Sequence, residues 1–239
     1  MKIAAWNLNH RIIEKKIPPE ALRFFDAFSA DLIVLNEFVD GESRASFRDE
    51  LKKMGYDHQF VSEKRVKQNQ VFIASKLPIS LGDLKPPQQD DAAITNFLHI
   101  TINGIDIEVV GIRAPAYNMA RERKSYWQEL ASIIQSAANR RIVFLGDVNY
   151  DPFRKVAPSV TELRFDMAPA FTIPNPKGEW SYISLNEKAR TRIDHAIVSD
   201  GLKVSNAEYL STYNGITLAG GRRSSAVTDH AVLALNLAV

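Results

Sequence analysis

Carboxylates, amides and one imidazole recur along this chain where an apolar run stops or starts. IAAW runs into Asn7, LIVL into Asn36-Glu37, and IVFL into Gly146-Asp147-Val148-Asn149. Later in the chain, Asp194 opens the run HAIV and Asp229-His230 opens AVLAL. Oxygen donors of this kind suit a hard divalent cation, and an acid next to an imidazole suits the activation of water. If the apolar runs are strands, all of these groups lie at strand ends.

The elements that must position them follow from apolar spacing. Residues 18–29 begin with Pro18-Pro19 and carry Ala21, Leu22, Phe24, Phe25 and Phe28 at helical intervals, which predicts a helix between two strands. A second helix is expected over 43–54, with Gly55 as its stop, and a third over 120–138 with Tyr126, Trp127, Leu130, Ile133, Ile134 and Ala137 on one side. The intervening segment to Gly111 reads mostly as strand, with a two-residue hairpin at Asn103-Gly104. Further strands are expected at 195–198 and 231–237, after a loop-rich stretch. Strands interspersed with helices imply an α/β class, and paired sheets with helices outside would bury this many apolar strands.

Composition narrows the function. A chain of 239 residues with 45% hydrophobic content can bury a full core, so a single domain over 1–239 is expected. No cysteine is present, which excludes disulfides, thiolate zinc sites and cysteine nucleophiles and permits a reducing compartment. No apolar stretch approaches the roughly 20 residues of a membrane span, and the N-terminus lacks a signal-peptide pattern, so a cytoplasmic protein is expected. A formal charge of +2 implies no nucleic-acid partner by itself.

Taken in order, WN, NE, GDVN, RID and a final TDH resemble the endonuclease/exonuclease/phosphatase superfamily, which includes exonuclease III and pancreatic deoxyribonuclease. The resemblance runs from Asn7 to His230. It implies a four-layer sandwich of two packed mixed β-sheets flanked by helices, hydrolysing phosphate esters with a divalent cation, usually Mg2+, with Mn2+ as an alternative. It also implies roles. Glu37 would be the leading metal ligand, with Asn7 and Asp229 contributing directly or through water. Asp194 would orient His230, whose other nitrogen would face the substrate phosphate. Asp147 would orient or deprotonate the attacking water, and Asn149 would donate to a phosphate oxygen. Taken singly, each acid also reads as a turn former or helix cap, and an isolated histidine as a satisfied core or surface residue. That plainer reading is kept for His10, His58, His99 and His195, whereas the joint pattern supports the others.

Relatives often carry a tyrosine or histidine two residues before a proline in the segment that follows the middle strand. GIRAP places Arg113 there instead. A guanidinium can clamp phosphate bidentately but cannot donate a proton in the same way; Arg113 is expected to be a phosphate clamp, with a surface ion-pair partner as the alternative. Tyr117, four residues on, is a candidate substitute. Trp180 stands shortly before RID, where packing and substrate contact are both open.

The loops 62–70, 111–125, 174–192 and 213–229 carry net charges of +2, +3, +2 and +1, so the remainder of the chain is net negative. If those loops rim the site, a polyanion is the expected substrate, DNA foremost. Arg222 and Arg223 follow Gly220-Gly221, which predicts a mobile basic loop tip. A smaller phosphoester, lipid or soluble, is the alternative substrate. No obligate protein partner is indicated.

Overall fold

In this computed structural model, which describes residues 1–10, 16–153, 170–222 and 224–238, the apolar runs are strands. In chain order the first half holds β1 (Lys2–Asn7), α1 (Pro19–Phe28), β2 (Leu32–Phe38), α2 (Glu42–Lys53), β3 (His58–Val61), β4 (Gln70–Ser75), β5 (Ile79–Leu81), α3 (Asp91–Thr95), β6 (Phe97–Ile102) and β7 (Ile107–Arg113). Then follow α4 (Ala120–Ser136), β8 (Ile142–Asp147), β9 (Phe171–Thr172), β10 (Tyr182–Ile183), β11 (Arg190–Thr191), β12 (Asp194–Ser199), β13 (Lys203–Leu210), β14 (Thr212–Tyr213), β15 (Ile216–Thr217) and β16 (Val232–Ala238).

Two six-stranded mixed sheets form among the described residues, ordered β13-β16-β1-β2-β4-β3 and β5-β6-β7-β8-β12-β9. Strand alternation sorts their side chains. Ile3, Ala5, Leu32, Val34 and Ile73 of the first sheet meet Leu98, Ile100, Val109, Val143, Leu145 and Ala196 of the second in a core between the sheets. On the outer face of the first sheet, Ala4, Trp6, Ile33, Leu35 and Phe72 pack with Phe24, Phe25 and Phe28 of α1 and Leu51 of α2. On the outer face of the second, Val110, Ile112, Phe144 and Ile197 pack with Tyr126, Trp127, Leu130 and Ile134 of α4. The result is helix, sheet, sheet, helix: the α/β four-layer sandwich expected from the sequence. Strands covered on both faces explain why the runs are continuously apolar rather than alternating. Each fully buried Leu, Ile or Phe adds roughly 1.5–3 kcal/mol.

Helix ends obey local rules. Pro19 occupies the first turn of α1, where its missing N–H costs nothing, and Ser29 closes that helix in the left-handed region. After α2, Gly55 at φ 89° lets its own N–H reach Lys52 O at 2.8 Å and the Tyr56 N–H reach Leu51 O at 3.0 Å, the Schellman pair. The hairpin differs from expectation. Ile102 faces Ile107 in the register, so residues 103–106 form a four-residue turn rather than a two-residue one. Ile105 explains the enlargement, because it folds back to pack against the core between the sheets.

Topology places the polar motifs. β1 runs parallel to β2 across α1, and β7 runs parallel to β8 across α4. These four strands therefore end at one edge of the sandwich, which receives Asn7, Asn36-Glu37, Arg113 and Asp147. β12 and β16 run antiparallel to their neighbours β8 and β1, so the same edge receives their beginnings, Asp194 and Asp229-His230. This is why the polar groups end some apolar runs and open others. No helix among the described residues is long and apolar enough to cross a membrane.

Candidate active site

Glu37 sits near the end of β2, where the pairing with β4 slips between Leu35 and Phe38. The irregularity puts Glu37 at φ 50°, a left-handed conformation that costs a non-glycine residue roughly 1–3 kcal/mol and recurs at functional sites. In a regular strand Asn36 and Glu37 would point to opposite faces. Here Asn36 Oδ1 accepts the Asp147 N–H at 2.9 Å, while Glu37 Oε1 lies 3.5 Å from Asn7 Nδ2. The Asn7 amide also donates to Asp147 Oδ2 at 2.9 Å, and its own oxygen accepts the Asn9 N–H at 2.8 Å.

Across from these groups lies the acid–imidazole pair. His230 Nδ1 is 3.0 Å from Asp194 Oδ2, and Asp194 faces Asp147 in the β8–β12 register. Each partner is held from behind. Ser181 Oγ accepts the N–H groups of Ile193 and Asp194 at 2.9 and 3.0 Å, Tyr209 donates to Asp194 O at 2.8 Å, and Trp6 Nε1 donates to His230 O at 2.7 Å. Asp229 Oδ1 lies 4.0 Å from His230 Nε2 and accepts from Thr228 at 3.3 Å, and Thr228 also donates to Asn7 O. The Tyr182 ring rests on the imidazole at 4.9 Å between centroids.

Burial shapes the charges. Glu37, Asp147, Asp194, Asp229 and His230 are all under 8% exposed. Desolvation, and then the adjacent Asp194 charge, push the Asp147 carboxyl up to about 6 against the opposing pull of His230 and Arg113. For His230, burial alone favours the neutral ring. The charge and hydrogen bond of Asp194, reinforced by Asp147 and Asp229, outweigh it and push the imidazole up to about 9. The surrounding carboxylates thus favour the protonated ring.

Arg113 joins this cluster, with Nε and Nη2 at 2.9 and 2.7 Å from Glu37 Oε1 and Nε at 3.8 Å from Asp147 Oδ2. It is thus ion-paired within the cluster rather than at the surface, its side chain 16% exposed. Asn149, at φ 51°, gives its backbone N–H to Asp147 Oδ1 at 3.0 Å and its amide to Ala114 O at 2.6 Å. Tyr117 lines a cleft of about 450 Å³ with Glu37, Arg113, Gln68 and Asn69, but its hydroxyl donates to Asp90 at 3.0 Å. All four basic loops therefore border the cluster, through Gln68 and Asn69, through Arg113 and Tyr117, through Tyr182, and through Asp229.

Trp180 packs against the core between the sheets, with the Arg190 guanidinium 5.5 Å from its ring centre, so Tyr182 rather than Trp180 is the aromatic residue that meets His230. Arg222 is exposed. Around it, Ala219, Gly220 and Arg222 itself donate backbone N–H groups to Ser211, Thr228 and Leu185. Arg223 lies outside the described residues. Asn36, Ser181 and Tyr209 escaped the sequence reading. Asn36 follows Leu32 and Val34 on the face turned to the other sheet, but an amide beside Glu37 in NE does not announce that contact, and a serine and a tyrosine carry no motif of their own.

The donor set fits a divalent cation. Four buried carboxylates face two cations, Arg113 and His230, leaving surplus negative charge presented entirely by oxygen atoms, the donors that Mg2+ and Mn2+ prefer. Away from this edge, Asp83, His99 and Glu108 bring donor atoms within 4.8 Å of one another, but those atoms are engaged with the protein itself. There His99 Nδ1 accepts the Leu84 N–H at 3.0 Å, Nε2 bonds Glu108 at 2.7 Å, and Arg140 bridges the two acids, so both ring nitrogens are already taken. His99, like His195 with its Nε2 on Arg192 O at 2.7 Å, is a satisfied structural histidine.

Fold and site together define a phosphoester-hydrolase framework, and the sequence assigns it. Residues 4–230 match the model of the Endonuclease/Exonuclease/phosphatase family, so the chain belongs to that family. A search of the curated proteins finds no significant sequence match. Among solved structures, an AP endonuclease from Archaeoglobus fulgidus superposes with a TM-score of 0.71 at 16% identity, covering 100% of both chains. A 3′-5′ exonuclease from Neisseria meningitidis gives 0.71 at 17%, again over 100% of both. ANGEL2, a 2′,3′-cyclic phosphatase, gives 0.65 at 15%, over 99% of this chain and 94% of that one. At such identities the likeness is one of fold.

Proposed function

We propose that this chain is a divalent-metal-dependent phosphodiesterase acting on DNA. The observation that carries the reading is the meeting of Glu37, Asp147, Asp194, Asp229 and His230 in one buried, oxygen-rich cluster at the edge where basic loops rise. Glu37 and Asp229 would hold the cation, with Asn7 fixing the carboxylates of Glu37 and Asp147 through its amide. When bound, a divalent ion polarises the phosphate and its leaving oxygen.

The remaining chemistry belongs to the side chains. Asp147, with its proton affinity raised towards neutrality, takes a proton from the attacking water. His230, charged and aligned by Asp194, offers Nε2 to the phosphate oxygens as negative charge builds on them. Asn149 stands beside Asp147 as a further donor. Nucleic acid as substrate is supported by the four positive loops and by the fold shared with an AP endonuclease and a 3′-5′ exonuclease.

The test is cleavage of single-stranded, duplex and abasic-site DNA with Mg2+ or Mn2+. Activity should vanish with a chelator and return when metal is restored. Failure to exceed a His230→Ala control on every DNA substrate would refute the reading. The cleft of about 450 Å³ beside Glu37 supports a second reading, a small phosphoester as substrate. Binding insensitive to salt would favour that alternative, because a polyanion releases counterions and a small ester does not.

A further inference from the structure

We infer that Arg113 is a resident cation at Glu37 that an incoming divalent ion displaces, so that metal and phosphate bind this site cooperatively. The inference rests on the metal-dependent reading above.

Three observations carry it. The Arg113 guanidinium places two nitrogens on one oxygen of Glu37, at 2.9 and 2.7 Å, and a third contact at 3.8 Å reaches Asp147. It thus occupies a carboxylate oxygen of Glu37, the residue proposed as the leading metal ligand. The backbone is anchored, with the Arg113 N–H on Asn96 O at 3.0 Å and the residue paired with Asp147 in the β7–β8 register. Only the side chain is left to move. It borders the open cleft of about 450 Å³, lined further by Gln68, Asn69, Pro115 and Tyr117, which offers the guanidinium somewhere to go.

The physical argument concerns charge. A divalent ion and a guanidinium on the same buried carboxylate repel one another with little water between them to screen the repulsion. A tyrosine or neutral histidine at this position would impose no such conflict. A histidinium could relieve it by losing a proton, but arginine keeps its charge at every working pH and must move instead. Turned into the cleft, its planar fork presents two N–H groups suited to phosphate oxygens. Metal binding then frees the phosphate clamp, and phosphate binding holds the clamp away from the metal ligand. Linkage makes the two effects equal in size.

The experiment is Mn2+ titration, followed by the electron-paramagnetic-resonance signal of free Mn2+, with and without dimethyl phosphate. In the unaltered protein the diester should tighten Mn2+ binding by about fivefold or more. Arg113→Gln should bind Mn2+ about tenfold more tightly without the diester and respond to it by less than about twofold. Arg113→Met, with a similar stem, carries the same expectation should the glutamine variant fail to fold by circular dichroism. Mn2+ binding in the variants equal to or weaker than in the unaltered protein, or an unchanged response to the diester, overturns the inference. If Mn2+ binds the unaltered protein and Glu37→Gln abolishes it, such a result overturns the role of Arg113 alone. Absence of Mn2+ binding in every form overturns the metal-dependent reading with it.

Discussion

Asn36 Oδ1 accepts the backbone N–H of Asp147 at 2.9 Å, joining the end of a strand in one sheet to the end of a strand in the other. Both residues are almost wholly buried, so this bond holds the two sheets in register where the acidic cluster forms. It needs room. Gly146, at φ 141°, provides that room, since a Cβ there would collide with Ile112 O and Asn36 Oδ1.

Gly146→Ala is therefore expected to lose about 3 kcal/mol or more, from backbone strain together with the collision. Urea unfolding measures the loss, and a cost below about 1 kcal/mol would show that the sheets do not depend on this close approach.

His230→Ala should lower kcat on the true substrate by about 10²–10⁴, the usual range for a general acid or charge-stabilising group. Mn2+ affinity should change far less, because the proposed ligands are Glu37 and Asp229. Parallel loss of metal binding would place His230 among the ligands.

Stability of the metal-free protein should fall as pH rises from about 6.5 to about 9. His230 binds its proton more tightly when folded than the ordinary imidazole near 6.5, so its contribution is complete below that pH and is lost as pH climbs through about 9. The size is on the order of 3 kcal/mol. Asp147 acts in the same direction at lower pH: its carboxyl is raised from 3.8 to about 6 by burial first and Asp194 second, so ionising it between those values costs the fold. Thermal melts across pH 5–9 would show the slope, and Asp194→Asn should flatten its upper part. A melting temperature that rises through the upper window would contradict the charged His230.

Ser181→Ala removes the acceptor for two N–H groups, those of Ile193 and Asp194, in a residue with no exposed surface. A cost of about 2–4 kcal/mol is expected, with reduced kcat as Asp194 loses its alignment. Unchanged stability would mean that other groups satisfy those donors.

The apolar runs and their polar ends were legible in the linear chain because both faces of each sheet are covered, so burial alone marks the strands and any polar residue beside them stands out. The periodicity of α1 and α4 was legible for the related reason that one stripe of each meets a sheet. Which residues touch was not. Arg113 meets Glu37 across 76 positions, and Asn36 reaches Asp147 across 111, through strand pairings and sheet packing that local spacing does not encode. The left-handed turn at Glu37 arises where β2 slips against β4, which converts two neighbouring residues with opposite expected directions into partners at one edge. Residue type and order thus set the available chemistry, and the approach of the two sheets decided which atoms share it. Local patterns report burial, whereas contacts between distant residues depend on how the whole chain packs.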